Sequence, residues 1–235
     1  MAEEATTAEH EGLEPVEAGT AEVHDLDPER AERRAAALAR VVKFGDPVLR
    51  SVASPVQDFD DALAAEAERM GRLMQEGMGV GLAATQLGIL RRILVFQAGP
   101  DAPVTTLVNP EIEWSSYEEV VTAEEGCLSI PGIVLDVERP LHVRIRAVDP
   151  QGEALTIEAS GLEARVIQHE VDHLDGVLIL QRAPDEQRRA AMRALREGGT
   201  YAPEREPDEA DAGEPGGALR AGGNGAAAPF GGAAG

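Results

Sequence analysis

The segment with the most evident chemistry is His169-Glu170-Val171-Asp172-His173. In a helix each residue advances about 100°, so His173 returns to within about 40° of His169 one turn on, and both imidazoles can bind one metal ion. Glu170 points about 100° away from His169, which suits it less to ligation than to taking a proton from a water held at such a metal. Two histidines leave a metal under-coordinated. No histidine follows His173, and Glu186 and Glu197 fall in an arginine-rich stretch that reads as a solvent-facing helix. Upstream, the only cysteine stands in Glu125-Gly126-Cys127-Leu128-Ser129. Its thiolate would be a strong ligand for zinc or ferrous iron. A third segment, Gly79-Val80-Gly81-Leu82-Ala83-Ala84-Thr85-Gln86, has the spacing of a dinucleotide fingerprint but follows a predicted helix instead of a strand. It reads as a glycine-permitted loop that a substrate backbone can approach closely, with Gln86 offering an amide donor.

The elements that must position these residues are legible in outline. Leu63, Ala67, Met70 and Met74 recur at helical spacing between Asp60 and Gly77, which predicts an amphipathic helix. Strand-like runs cover 92–97, 104–109, a stretch near Val120, 133–137, 142–148 and 154–159, and Asp149-Pro150-Gln151-Gly152 marks a hairpin between the last two. Ser160 with Glu163 fits a capping box, Leu162, Val166, Ile167 and Leu174 give the next helix its apolar face, and Asp175-Gly176 supplies its stop. Strands followed by one buried helix predict an α+β domain, antiparallel sheets around a central metal-binding helix.

Composition narrows the function classes. With 43 acidic against 21 basic side chains among 235 residues, the net charge of −22 opposes nucleic-acid binding except through a local basic patch. A lone cysteine makes no internal disulfide, and no run of about 18 apolar residues is present to span a bilayer, so a cytoplasmic protein without membrane contact is expected. Residues 1–28 carry nine acids and no Lys or Arg and are expected to be a disordered arm. A short helical lead-in is expected over 29–40, one catalytic domain over 41–183, an arginine-rich helix over 184–197 and a disordered Gly/Ala/Pro-rich tail over 198–235.

Taken together and in this order, GVGLAATQ, EGCLS and QHEVDH resemble the three motifs of the peptide deformylase family. The resemblance covers about 41–183, including Pro131-Gly132 and Arg139. It implies that Cys127, His169 and His173 ligate a divalent metal, often ferrous iron, with zinc, nickel or cobalt as possible occupants. It further implies that Glu170 is base and then acid, that Gln86 and the Leu128 N–H hold the oxyanion, and that the substrate is a nascent peptide beginning with N-formylmethionine, which releases formate. The peptide is expected to lie extended beside Val80-Gly81 and Gly126, with its methionine side chain in a slot formed by Val80, Leu162 and Val166.

Glu125 and Arg139 are expected to pair near the metal, again from the resemblance, and Asp172 to give a supporting hydrogen bond. Arg165, four residues before His169, reads as a surface charge, the alternative being that its stem lines the slot. His10, His24 and His142 receive no role. Two other functions compete: an H-E-x-x-H metallopeptidase, whose third ligand would follow the helix, and a catalytically silent deformylase-like module that binds nascent chains or ribosomes. For docking, Arg188, Arg189, Arg193 and Arg196 form the one locally basic element, able to meet ribosomal RNA or simply to be solvated. A monomer is expected.

Overall fold

The computed structural model describes residues 27–204, so all of the expected acidic arm except Asp27 and Pro28, and most of the expected tail, lie outside the described residues. The chain divides into two units, Met1–Pro203 and Glu204–Gly235, and every element below belongs to the first. Helix α1 spans Pro28–Leu38; the Asp27 carboxylate accepts from the Arg30 N–H at its start, and Pro28 occupies the position where a missing N–H costs nothing. Helix α2 spans Asp61–Glu76, capped by Asp60 and closed at Gly77. The apolar face read from the sequence is the buried one: Leu63, Met70 and Met74 are fully enclosed, each contributing about 1.5–3 kcal/mol by leaving water.

Seven strands follow: β1 (Gly81–Ala83), β2 (Ile93–Phe96), β3 (Thr105–Ser115), β4 (Val120–Gly126), β5 (Val134–Pro140), β6 (His142–Val148) and β7 (Ala154–Ser160). Strands β1-β2-β3-β6-β7 form an antiparallel sheet in that order, and β4-β5 form a second, two-stranded one. The β6–β7 hairpin turns where the sequence predicts, because the Asp149 carboxylate accepts from the Gln151 and Glu153 N–H groups and pins the tight turn. Strand β3 runs farther than its apolar run suggests. Beyond Asn109, a left-handed residue whose side chain bonds the Val56 backbone, the strand carries Glu111 and Glu113 on an exposed face yet still pairs with β6 through two register shifts.

Helix α3 (Gly161–Leu174) lies against the five-stranded sheet: Val166, Ile167, Val171 and Leu174 pack in one cluster with Leu94, Phe96, Leu107, Val143 and Ile145. Two details of its ends matter. Ser160 does not cap it; its hydroxyl bonds His142 Nδ1 across the sheet at 2.7 Å, so the expected capping box does not form. At the other end Gly176 takes φ +72°, and a Cβ there would lie 2.6 Å from the Arg50 carbonyl, which explains the stop. Helices α4 (Ile179–Arg182) and α5 (Asp185–Glu197) then pack on the β4–β5 sheet through Leu178, Leu180 and Ala191 against Ile133, Leu135 and Val137. Order continues past Glu197, where the tail was expected to begin: Tyr201 bridges Ile133 in parallel, and Thr200 packs on Gly132. Among the described residues no helix is long and apolar enough to cross a membrane.

Candidate metal centre

The two sheets converge on α3. Cys127 is the first residue after β4, and His169 and His173 face it from α3 with their ring centroids 5.0 Å apart. One ligand atom from each of the three lies within 4.8 Å of the others, and Cys127 Sγ is 3.2 Å from His173 Nε2. Burial alone would raise the Cys127 thiol, but the charges and hydrogen bonds of the two imidazoles outweigh it and hold the thiol well below its ordinary value, toward the thiolate a metal requires. His169 is oriented by its other nitrogen, whose Nδ1–H donates to Glu125 Oε2 at 2.9 Å and so leaves Nε2 for the metal. One thiolate and two imidazoles fit a single divalent transition-metal ion, although only His169 is oriented through its second nitrogen, His173 Nδ1 having no hydrogen-bond partner, and among the described residues these three are the group able to hold one.

Glu125 is the hub of what lies behind the ligands. Arg139 grips it with two nitrogens, at 2.6 and 2.9 Å, and Arg165 adds a third contact at 2.7 Å. Arg139 also reaches Asp172 at 3.0 Å, which Arg182 holds from α4 at 3.0 Å. Burial by itself would push the Glu125 carboxyl up; the hydrogen bonds from His169 and Arg139 reverse this and hold it well below the usual carboxylate range. Arg165 is a correction to the expectation of a surface charge. Its side chain is 7 % exposed, and two further N–H groups donate to the Val137 and Val121 carbonyls. Four residues before His169 it shares that histidine's face, a spacing that was visible in the sequence; its interior partner on β4 was not.

Glu170 is buried, and its Oε2 has no hydrogen-bond partner among the described residues. Burial raises its pKa, opposed by the neighbouring imidazoles. Its carboxylate lies against β1 so closely that a Cβ on Gly81 would sit 2.3 Å from Oε1, which is the reason for glycine at that position. Gln86, in a short 3₁₀ turn after β1, accepts from the Ala83 N–H through Oε1, and this aims Nε2 at Cys127 Sγ, 3.7 Å away. Thr85 ties the same turn to α3 by donating to the His173 carbonyl.

The loop after β4 is also fastened. Lys43 donates to the Leu128 carbonyl at 3.1 Å and the Phe44 N–H to the Ser129 carbonyl, while the Leu128 N–H makes no hydrogen bond among the described residues. Val80, Gly126 and Val166 line a narrow cavity beside His169 and Glu170, together with Arg165. Leu162 is outside that lining but packs against the same apolar cluster as Val80 and Val166.

Comparison with known proteins gives a consistent result. A sequence model described as polypeptide deformylase matches residues 38–189. The chain is 45% identical over 154 residues to a peptide deformylase of Parafrankia sp., covering 66% of this chain and 83% of that one. It is 50% identical over 143 residues to a peptide deformylase of Thermotoga neapolitana, covering 61% and 85%. Among solved structures, the Thermotoga maritima peptide deformylase matches with a TM-score of 0.59 at 44% identity, covering 62% of this chain and 97% of that one. The Synechococcus elongatus peptide deformylase in complex with actinonin matches with a TM-score of 0.63 at 38% identity, covering 68% and 88%.

Proposed function

The chain belongs to the polypeptide deformylase family, and from that premise we propose that Cys127, His169 and His173 hold its metal ion, Glu170 moves the proton, and Gln86 and the Leu128 N–H hold the oxygen. The protein is a hydrolase that removes the formyl group from the N-terminus of nascent peptides. The observation that carries the site assignment is the third donor: it is the thiol of Cys127, brought from β4, and no histidine or carboxylate after α3 joins the group among the described residues. That separates this centre from an H-E-x-x-H peptidase with a downstream ligand.

When bound, a divalent ion at these ligands polarises the formyl carbonyl and makes a water easier to deprotonate. Ferrous iron is the ion we assign; zinc, nickel and cobalt suit the same mixed thiolate and imidazole set. Glu170 takes a proton from the attacking water, whose oxygen adds to the formyl carbon. As charge builds on the formyl oxygen, Gln86 Nε2 and the Leu128 N–H donate to it, each worth about 10²–10³ in rate. The C–N bond then breaks, Glu170 returns the proton to the nitrogen, and formate leaves behind a free methionine amine.

Positioning falls to two strand edges. β1 and β4 each pair on one side only, so an extended peptide between them can exchange backbone hydrogen bonds with both. Val80, Gly81 and Gly126 then flank its first residue, and Val80, Leu162 and Val166 supply the apolar surface for the methionine side chain. A contact with ribosomal RNA through Arg188, Arg189, Arg193 and Arg196 rests on charge, and would appear as salt-sensitive cosedimentation with ribosomes.

The function is tested by formate release from a short N-formylmethionyl peptide, with an unformylated, internally cleavable peptide as control. Formate from the first and an intact second are expected. Cleavage of the control alone would show a peptidase, and a metallated protein inert on both would show a binding module.

A further inference from the structure

One cavity of the described residues lies away from the metal. It measures about 630 Å³ and opens between α4, α5 and the segment around Phe44. Its rim carries Arg50, Arg188, Arg189, Arg193 and Arg196, in a chain whose net charge is −22. Few carboxylates answer them. Arg188 pairs with Asp185, and Arg50 lies over the Phe44 ring, 5.8 Å from its centroid. Arg193 and Arg196 have no ionic partner among the described residues. Between the arginines the floor is apolar, formed by Phe44, Leu178, Leu180 and Met192. A fitting occupant therefore carries several anionic groups with apolar side chains between them.

This chain contains such a segment. Residues 1–26 hold eight acids and no Lys or Arg, and within them Glu11-Gly12-Leu13-Glu14-Pro15-Val16-Glu17 repeats an acid every third residue. Leu13 and Val16 keep the same interval. Residues 205–235 are a poorer match, with five acids diluted by Arg205 and Arg220.

The tether is long enough. The 11 residues of α1 rise about 16 Å. The six residues from Leu38 to Phe44 add at most about 22 Å, so Asp27 lies within about 38 Å of the cavity. The 13 residues from Asp27 back to Glu14 extend to about 44 Å. Joined to the same chain, the segment faces the groove at an effective concentration on the order of millimolar, enough to hold a weak electrostatic contact.

We propose that the arginine groove between α4 and α5 is the docking site of the chain's own acidic segment Glu11–Glu17, which covers this face until a stronger polyanion displaces it. The docked segment neutralises this basic surface of an acidic protein, so RNA gains it only by competition.

The test uses the full chain with the photocrosslinker p-benzoylphenylalanine in place of Arg193. After irradiation and trypsin digestion, residues 1–30 leave as one peptide, because Arg30 is the first basic residue. The expected result is an intrachain crosslink between that peptide and α5. Combining E11Q, E14Q and E17Q should lower its yield roughly fivefold, the loss expected of three solvent-exposed ion pairs, and about 0.5 M salt should do the same. A crosslink to residues 205–235, one joining two chains, or one indifferent to the three neutralisations would overturn the proposal. So would a yield that only added RNA could produce.

Discussion

Arg139 and Arg144 stand five residues apart on consecutive strands and meet opposite surroundings. Arg139, at the end of β5, is 5 % exposed and lies between Glu125 and Asp172. Arg144, on the outer face of β6, is 49 % exposed and pairs with Glu158 at 2.7 Å; Arg146 beside it pairs with Glu111 and Glu113. The ion pairs look alike on paper, but water decides what each is worth. On β6, solvent screens the attraction and would hydrate either partner left alone. Glu125 is buried, out of solvent's reach, and removing one charge strands the others. The buried cluster is costly to assemble, and what it secures is the orientation of His169.

Three substitutions sharpen that contrast. Glu125→Ala should have the largest effect, because it leaves Arg139 and Arg165 buried without their shared carboxylate and His169 Nδ1 without an acceptor. A loss of about 3–5 kcal/mol in urea unfolding is expected, with metal affinity about 10–100-fold weaker. A near-neutral result would mean that the cluster is no more than a surface pair. Gly81→Ala comes next and strikes the chemistry instead of the fold. Its Cβ must displace the Glu170 carboxylate, so formate release should fall about a hundredfold while the metal stays bound. Arg144→Ala should be smallest, within about 0.2–1 kcal/mol and smaller still at high salt. If it cost as much as Glu125→Ala, the contrast between the two regions would be gone.

The same contrast governs what was legible in the sequence. His169 and His173 share one helix, so their spacing alone states that they meet, and Asp149-Pro150-Gln151-Gly152 carries its own turn geometry. Helix α2 was legible for a similar reason: one face, one period, one burial. Contacts between elements far apart in the chain carry no such rule. Arg165 looks like any charged residue on an amphipathic helix until β4 places Glu125 beside it. The second half of β3 is hidden because its exposed face removes the apolar run that marks a strand. Ser160 has the residue type and spacing of a cap, yet His142 on the neighbouring strand claims its hydroxyl. The arginines of α5 were legible as a basic stripe; that they rim a cavity with Arg50 and an apolar floor was not.

The most direct measurement is metal content and formate release on one preparation of Glu170→Gln, made anaerobically beside the unaltered chain. One metal ion per chain in both, with turnover lost only from the variant, is the expected result: Cys127, His169 and His173 then hold the ion without Glu170, and Glu170 alone moves the proton. A variant that keeps most of its rate, or one that loses its metal, would contradict that division of roles.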